Sequence, residues 1–325
     1  MKLLFYNTKN YEKKVFDKLN TKHQFVYIDQ ELTLETSSLA NGYDGVVIFV
    51  NAQADAQVLT KLKNQGVKYI FLRCMGYDKV DLKIAKQLDI KVFRVKNYSA
   101  QTVAEHALSL LMAVNRNLKI VNKRVENYNF SLDDLEAKSM ERAIVGVIGG
   151  GQIGQSFIKI VKSMNAKVLL FDPYLEKNKP EISKELGITF VPKEELFKNS
   201  DIISLHTPYN EFTHHIINKE SINLMKDDVI LINTSRGGLI DTSALVNALK
   251  NNKFFGIGLD VLEREQNRFF LDCSSKKEEM KKNDPEWDHL INNDKVVITS
   301  HQAFLTDYAL NQIASKTLNN IDAAN

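Results

Sequence analysis

Apolar positions in the first hundred residues recur with two alternating periods. LLFY at 3–6, FVYI at 25–28, GVVIF at 45–49, YIFLR at 69–73 and KVFRV at 91–95 are short runs rich in aliphatic and aromatic side chains, as strands buried in a sheet require. Between them, Lys13 to Leu19 and the stretches opening at Asp55 and Asp81 space their apolar residues as one helix face does. Residues 1 to about 97 therefore read as a small α/β unit with its own sheet. From Ser99 to about Tyr128 a longer helical pattern sets Val103, Ala107, Leu110, Leu111, Val114 and Leu118 on one side, a length that suits a helix linking two domains. Strand-like runs return at Ala143 to Ile148, Lys167 to Phe171, 201–206, 229–235, 254–261 and 296–300, with helices from Lys193, Asn218 and Asp241. These six strands with their crossovers make a second, doubly wound parallel sheet.

The junction after Ile148 carries the first chemistry. Gly149, Gly151 and Gly154 stand in the spacing G-x-G-x-x-G between a strand and a helix whose apolar face is Ile153, Phe157, Ile158, Ile160, Val161 and Met164. Glycines let backbone approach a pyrophosphate, and the free N–H groups of a helix start attract its charge. Three glycines in six residues also occur in ordinary loops, but strand before, helix after and an acid at the end of the next strand are the confirming context. That acid is Asp172, placed to accept from ribose hydroxyls and to repel a 2′-phosphate, which favours NAD over NADP. Pro173 follows it, so Asp172 also reads as a turn former at a strand end, and the two roles are compatible.

Composition narrows the rest. A length of 325 residues suits two domains, and 44% apolar with 26% charged residues is ordinary for a globular chain. The net charge of +3 is spread over 43 basic and 40 acidic residues, with no basic block, which argues against nucleic acid as a partner. No apolar run reaches the twenty or so residues of a membrane span, and MKLLFY reads as a first strand rather than a signal peptide. Cys74 and Cys273 alone suggest neither a disulfide framework nor a metal cluster, and a cytoplasmic location is the simplest expectation.

In doubly wound sheets ligands sit beyond the carboxyl ends of the strands. The polar residues at those ends are His206, Thr207 and Pro208, then Thr234, Ser235 and Arg236, then Asp260, and finally His301. An arginine at a strand end beside Gly237 and Gly238 can grip a carboxylate with its planar fork, though position alone also fits a solvated surface arginine. Glu265 lies just past Asp260, and a carboxylate beside a histidine would orient the ring and favour the charged form that a proton donor needs. Contact between them is not legible in the sequence. Gly76, in RCMGYDKVD, reads either as a source of backbone N–H groups aimed into a crevice or as a plain strand-to-helix turn. His106 reads as a packed or capping histidine before a catalytic one.

Taken in order, GGGQIG, FDPY, HTP, NTSRGGLID, GLDVLERE and SHQAFLT resemble the D-2-hydroxyacid dehydrogenases over about residues 73–309. RFFLDCSS, YSAQTVAEHA and RCMGYDKVDL are similar to the fermentative D-lactate subgroup in particular. The resemblance implies two Rossmann-like domains with a cleft between them, a substrate domain of residues 1–98 and 300–325 and an NAD-binding domain of residues 99–299. It implies that Arg236 binds the substrate carboxylate and polarises the keto oxygen, that His301 protonates that oxygen, and that Glu265 holds His301 charged. Gln152 and Ile153 would cover the pyrophosphate, Thr207, Pro208 and Thr213 would line the adenosine half, and Thr234, Ser235, Arg236 and Asp260 would surround the nicotinamide end. Met75, Gly76 and Tyr98 would form the substrate-carboxylate pocket. Gly150 departs from the threonine common in the subgroup and is expected to loosen the turn slightly; Arg264 interrupts an acidic run without removing a catalytic group. The implied reaction is reversible reduction of pyruvate to D-lactate by NADH, in a homodimer formed through the NAD-binding domain. A dehydrogenase for a bulkier D-2-hydroxy acid is the runner-up. An NAD-dependent binding module of the same fold is the rival from another class.

Overall fold

The computed structural model describes residues 1–266 and 268–324. It divides into two compact units, Met1–Ser99 with Phe304–Asn325, and Ala100–Ala303.

In the first unit β1 (Lys2–Phe5), β2 (Gln24–Tyr27), β3 (Gly45–Ile48), β4 (Tyr69–Leu72) and β5 (Lys91–Arg94) form a parallel sheet of order β2-β1-β3-β4-β5. This is the order of flavodoxin-like sheets. The helices expected at Asp55 and Asp81 begin there for a local reason. Asp55 accepts the N–H groups of Gln57 and Val58, and Asp81 accepts that of Ile84, so each carboxylate satisfies donors that a helix start leaves orphaned. Leu3, Phe5, Val47 and Phe71 of the strands pack with Phe16 of the helix Asn10–Leu19 and with Ala314 and Ile321 of the C-terminal helix Asp307–Ala324. At about 1.5–3 kcal/mol for each large side chain, such burial is what ties the last helix to a sheet begun some three hundred residues earlier.

The second unit holds β6 (Ile144–Ile148), β7 (Lys167–Phe171), β8 (Thr189–Phe190), β9 (Ile202–Leu205), β10 (Val229–Asn233), β11 (Phe254–Leu259) and β12 (Val296–Ile298). They form a parallel sheet of order β12-β11-β10-β9-β6-β7-β8. The seventh strand, β8, corrects the expectation of six; two residues are too few to carry a period. Its central strands are buried on both faces: Val229 and Leu231 of β10 enter one core cluster, while Ile230 and Ile232 enter the other. Strand order reverses between β6 and β9, which opens a switch point at their carboxyl ends.

Two further expectations are corrected. The pattern from Ser99 to Tyr128 is two helices, Ala100–Asn115 and Leu118–Glu126, because Asn117 adopts φ +53° between them. Asparagine tolerates that left-handed conformation better than most side chains, and apolar spacing does not register it. Residues 300–303, which the resemblance implied for the first unit, fall in the second, where Asp260 holds the backbone of 301, 302 and 303. Among the described residues no helix is long and apolar enough to cross a membrane.

Candidate active site

All the candidate residues of the second unit lie along the carboxyl edge of its sheet, because the strands that carry them are parallel. At the end of β6, Gly149 sits at φ +97°, and a Cβ there would stand 2.5 Å from the carbonyl oxygen of His206. Only glycine makes this turn without strain. Gly151 is the N-cap of the helix Gln152–Ser163 and brings no side chain to its first turn, which includes Gln152, Ile153 and Gly154. A Cβ on Gly151 would meet no atom of the described residues within 4 Å. The helix start is thus left with unsatisfied N–H groups beside open space, the combination that receives a phosphate. Gly150 does not loosen the turn. Its N–H donates to Asp172 Oδ2 at 2.8 Å, and the space a Cβ would take is filled by Leu175 and Leu170.

Asp172, at the end of β7, fulfils the turn reading and leaves room for the other. Its Oδ1 accepts the Leu175 N–H at 3.0 Å and so caps the helix Pro173–Asn178. Each oxygen keeps a further lone pair for a hydroxyl donor. His206, at the end of β9, is no ligand group: it is 8% exposed, bonds Ser204 Oγ at 2.8 Å and packs against Phe157. Burial pushes its imidazolium down to about 3, so the ring is a neutral part of the core beneath the glycine turn. Beyond it, Thr213 Oγ1 donates to the Pro208 carbonyl at 2.6 Å and pins the exposed loop that starts at Thr207.

After β10, the buried Asn233 shapes the turn by accepting from Ser235 N–H and donating to the Arg236 carbonyl. Ser235 Oγ donates to the Leu205 carbonyl, and Arg236 Nη1 to the Ser235 carbonyl at 2.8 Å. Thr234 Oγ1 is buried and has no hydrogen-bond partner among the described residues. A Cβ on Gly237 would lie 2.0 Å from the Leu262 carbonyl carbon, so the Arg236 turn is pressed against the segment that leads to Glu265.

Glu265 and His301 touch. His301 Nδ1 lies 2.8 Å from Glu265 Oε1, while Glu265 Oε2 accepts the Leu262 N–H at 3.1 Å. A carboxylate can only accept, so Nδ1 carries the proton of this bond and Nε2 is left to exchange protons elsewhere. The ring is 13% exposed. Two side chains that sequence reasoning passed over complete its surroundings. Phe270, held at φ +65°, lies with its ring 5.8 Å from that of His301. Arg268 anchors this loop by pairing with Asp284 at 2.8 Å and lying over the Trp287 ring at 4.3 Å.

Asp260 is placed differently from the other expected cofactor contacts. Its side chain is 0% exposed and occupied within the protein: Thr299 Oγ1, Gln302 N–H and Ala303 N–H all donate to it, and its own carbonyl accepts from His301 N–H. Burial works to raise its carboxyl, but the hydrogen bonds of His106 and Thr299 and the nearby imidazole charges outweigh it, so the group sits below the ordinary range and is ionised. In the first unit, the Met75 carbonyl accepts from Arg94 Nη1 at 2.8 Å and the Gly76 carbonyl from Cys74 Sγ at 3.2 Å, which fixes the loop after β4; Tyr98 is half-buried after β5.

An uncapped helix N-terminus, an open Gly151, a buried Thr234 hydroxyl without a partner and a ribose-competent Asp172 together fit a dinucleotide. The comparisons with known proteins agree. Residues 108–303 match the model of the D-isomer specific 2-hydroxyacid dehydrogenase NAD-binding domain, and the cofactor is NAD. The chain is 41% identical to the D-lactate dehydrogenase of Escherichia coli K12, over 99% of this chain and 96% of that protein. It is also similar to a solved structure of the pyruvate reductase of Chlamydomonas reinhardtii, with TM-score 0.88 and 41% identity over 100% of this chain and 96% of that one. The D-lactate dehydrogenase of Aquifex aeolicus, solved with NAD and lactic acid, gives TM-score 0.86 and 33% identity over 99% and 95% of the two chains. The chain belongs to the D-isomer specific 2-hydroxyacid dehydrogenase family.

Proposed function

We propose that this protein is an NAD-dependent D-lactate dehydrogenase that reduces pyruvate reversibly to D-lactate. The observation that carries the reading is the 2.8 Å contact between Glu265 and His301 on the same sheet edge as the open glycine turn. NADH supplies the hydride that arrives at the keto carbon. The Arg236 guanidinium binds the pyruvate carboxylate and draws charge onto the keto oxygen, and His301 gives that oxygen its Nε2 proton. Glu265 holds the ring through Nδ1 and stabilises its positive charge until the proton leaves. Met75, Gly76 and Tyr98 are proposed substrate contacts, and Gln152, Ile153, Thr207, Pro208, Thr213, Thr234 and Ser235 proposed cofactor contacts. The relatives named for lactate and pyruvate support the three-carbon substrate.

Steady-state rates over a series of 2-keto acids with NADH, together with chiral analysis of the product, test this. Pyruvate should give the highest kcat/KM and only D-lactate. Accumulation of L-lactate, or a branched six-carbon keto acid preferred over pyruvate, would overturn it.

We further propose that the protein is a homodimer joined through the second unit. Tyr128, Phe130 and Leu132 are 85, 69 and 80% exposed in one segment of that unit, more apolar surface than one short stretch ordinarily shows to water. Light scattering should give twice the 37.1 kDa chain mass, and Phe130→Asp with Leu132→Asp should give monomers. A cytoplasmic location is proposed on the low cysteine content, two in 325 residues, too few for a disulfide framework.

A further inference from the structure

We propose that His106 is a positioning residue for proton transfer by His301, acting through Asp260 and Thr299. The inference rests on the reading above, in which His301 is the proton donor.

The placement of His106 follows from a match between two periods. The helix Ala100–Asn115 lies along β11 so closely that a Cβ on Gly256 would come within 2.2 Å of Val114 Cγ1, and one on Gly258 within 2.9 Å of Leu110 Cβ. Four residues back along a helix is about 6 Å, and two residues on along a strand is about 6.6 Å, so the contacts stay in step. Val114 meets Gly256, Leu110 meets Gly258, and the next pair is His106 with Asp260. There the glycine is replaced by a carboxylate, and the apolar side chain by an imidazole. His106 Nε2 stands 3.2 Å from Asp260 Oδ1 and 2.9 Å from Thr299 Oγ1.

Chemistry decides the protons. The Thr299 hydroxyl donates to Asp260 Oδ1 at 2.5 Å, so its oxygen can only accept from His106, and the carboxylate can only accept. The hydrogen therefore sits on Nε2 of His106 and is shared between two acceptors. The hydroxyl is locked in turn, because its one hydrogen has one acceptor.

Holding Asp260 and Thr299 matters because they hold His301. Thr299, Gln302 and Ala303 all donate to the Asp260 carboxylate, and His301 N–H donates to its carbonyl at 2.8 Å. His301 itself is at φ +54°, a left-handed conformation that a non-glycine residue keeps when its surroundings over-determine it. His106 supplies the donor that fixes the clamp from the helix side. Without it Asp260 Oδ1 and the Thr299 hydroxyl each lose the donor on the helix side, the clamp is held by the 299–303 segment alone, and the imidazole on that segment loses part of its aim.

The test compares His106→Leu, His106→Gln, Thr299→Val and the pair His106→Leu with Thr299→Val, with His301→Gln as control. Each is read by kcat, KM for NADH and pyruvate, and thermal unfolding. His106→Leu should lower kcat about 10- to 100-fold, the range expected for a small misplacement of a reacting group, with KM for NADH unchanged. His106→Gln, whose amide N–H reaches the same oxygens, should recover most of the rate. Thr299→Val should match His106→Leu, and the pair should be no worse than either alone, as for members of one network. A His106→Leu protein that turns over normally while His301→Gln is inactive overturns the positioning role and leaves the acid assignment standing; normal turnover in His301→Gln overturns that assignment itself. Failure of glutamine to restore the rate in a protein that melts normally shows that shape rather than the hydrogen bond is required, and overturns the proposal. If His106→Leu does not fold, Thr299→Val decides alone, and an unchanged kcat there overturns it.

Discussion

In each unit the first strand of the sheet leads through a turn into a helix at the carboxyl edge, and the two junctions have opposite electrostatics. After β1, the helix Asn10–Leu19 receives its own anion: the Glu12 carboxylate accepts the Lys9 N–H at 3.1 Å and pairs with Arg73 Nε at 2.5 Å. Glu12 is 5% and Arg73 0% exposed, and the cavity beside them, lined also by Phe16 and Phe49, holds about 10 Å³, room for one water. After β6, the helix Gln152–Ser163 has no such plug, and Gly151 leaves its start open. One junction has its charge built in, while the other waits for a ligand's. Related sheets therefore differ in function through a few side chains at one edge.

The largest effect expected from altering this contrast is in the first unit. Glu12→Leu would leave the Arg73 guanidinium buried without its countercharge and should cost about 3–5 kcal/mol in denaturant unfolding. Adding Arg73→Met should recover most of that, since an apolar pair of similar volume removes the charge as well as its partner. If Glu12→Leu alone is neutral, the plug is not what holds this junction.

The next effect is on cofactor choice. Asp172→Ala should narrow the preference for NADH over NADPH by about tenfold or more, because the carboxylate no longer repels a 2′-phosphate; tenfold corresponds to about 1.4 kcal/mol. The variant should also lose about 1 kcal/mol of stability with the cap on Leu175. An unmodified protein that uses NADPH as well as NADH would show that Asp172 does not face the ribose.

The smallest effect concerns the aim of the His301 ring. Glu265→Gln keeps an oxygen for the Nδ1 hydrogen but removes the carboxylate charge that holds it, and should lower kcat by about three- to tenfold with KM for NADH unchanged. An unchanged kcat would separate the 2.8 Å contact from proton delivery.

How far this contrast was legible in the sequence depends on the range of each interaction. Short buried strands and the G-x-G-x-x-G turn announce themselves locally, because neighbouring side chains alone decide them. Asp55 and Asp81 were legible for the same reason, as carboxylates at helix starts. Glu12 with Arg73 was not, since the pair joins residues 61 apart and a buried ion pair has no period. Glu265 and His301 were each legible as candidates by their place at strand ends, but not as a contact. His106 lies 193 residues from Thr299, and its role emerges only when the helix is laid along β11. The break at Asn117 and the two-residue β8 escaped because a single dihedral and two side chains leave no mark on an apolar pattern.

Gly151→Asp tests the contrast most directly, because it puts into the second junction the kind of carboxylate the first one carries. Aspartate is a favoured N-cap, and a Cβ at this position meets nothing in the protein, so thermal stability should be unchanged or raised by a few tenths of a kcal/mol. NADH binding, followed by fluorescence titration, should weaken by at least about 30-fold, or about 2 kcal/mol of like-charge repulsion against the pyrophosphate. A variant that binds NADH with unchanged affinity would contradict the assignment of this helix start as the cofactor's anion site, and one that unfolds would contradict the claim that the space at Gly151 is open.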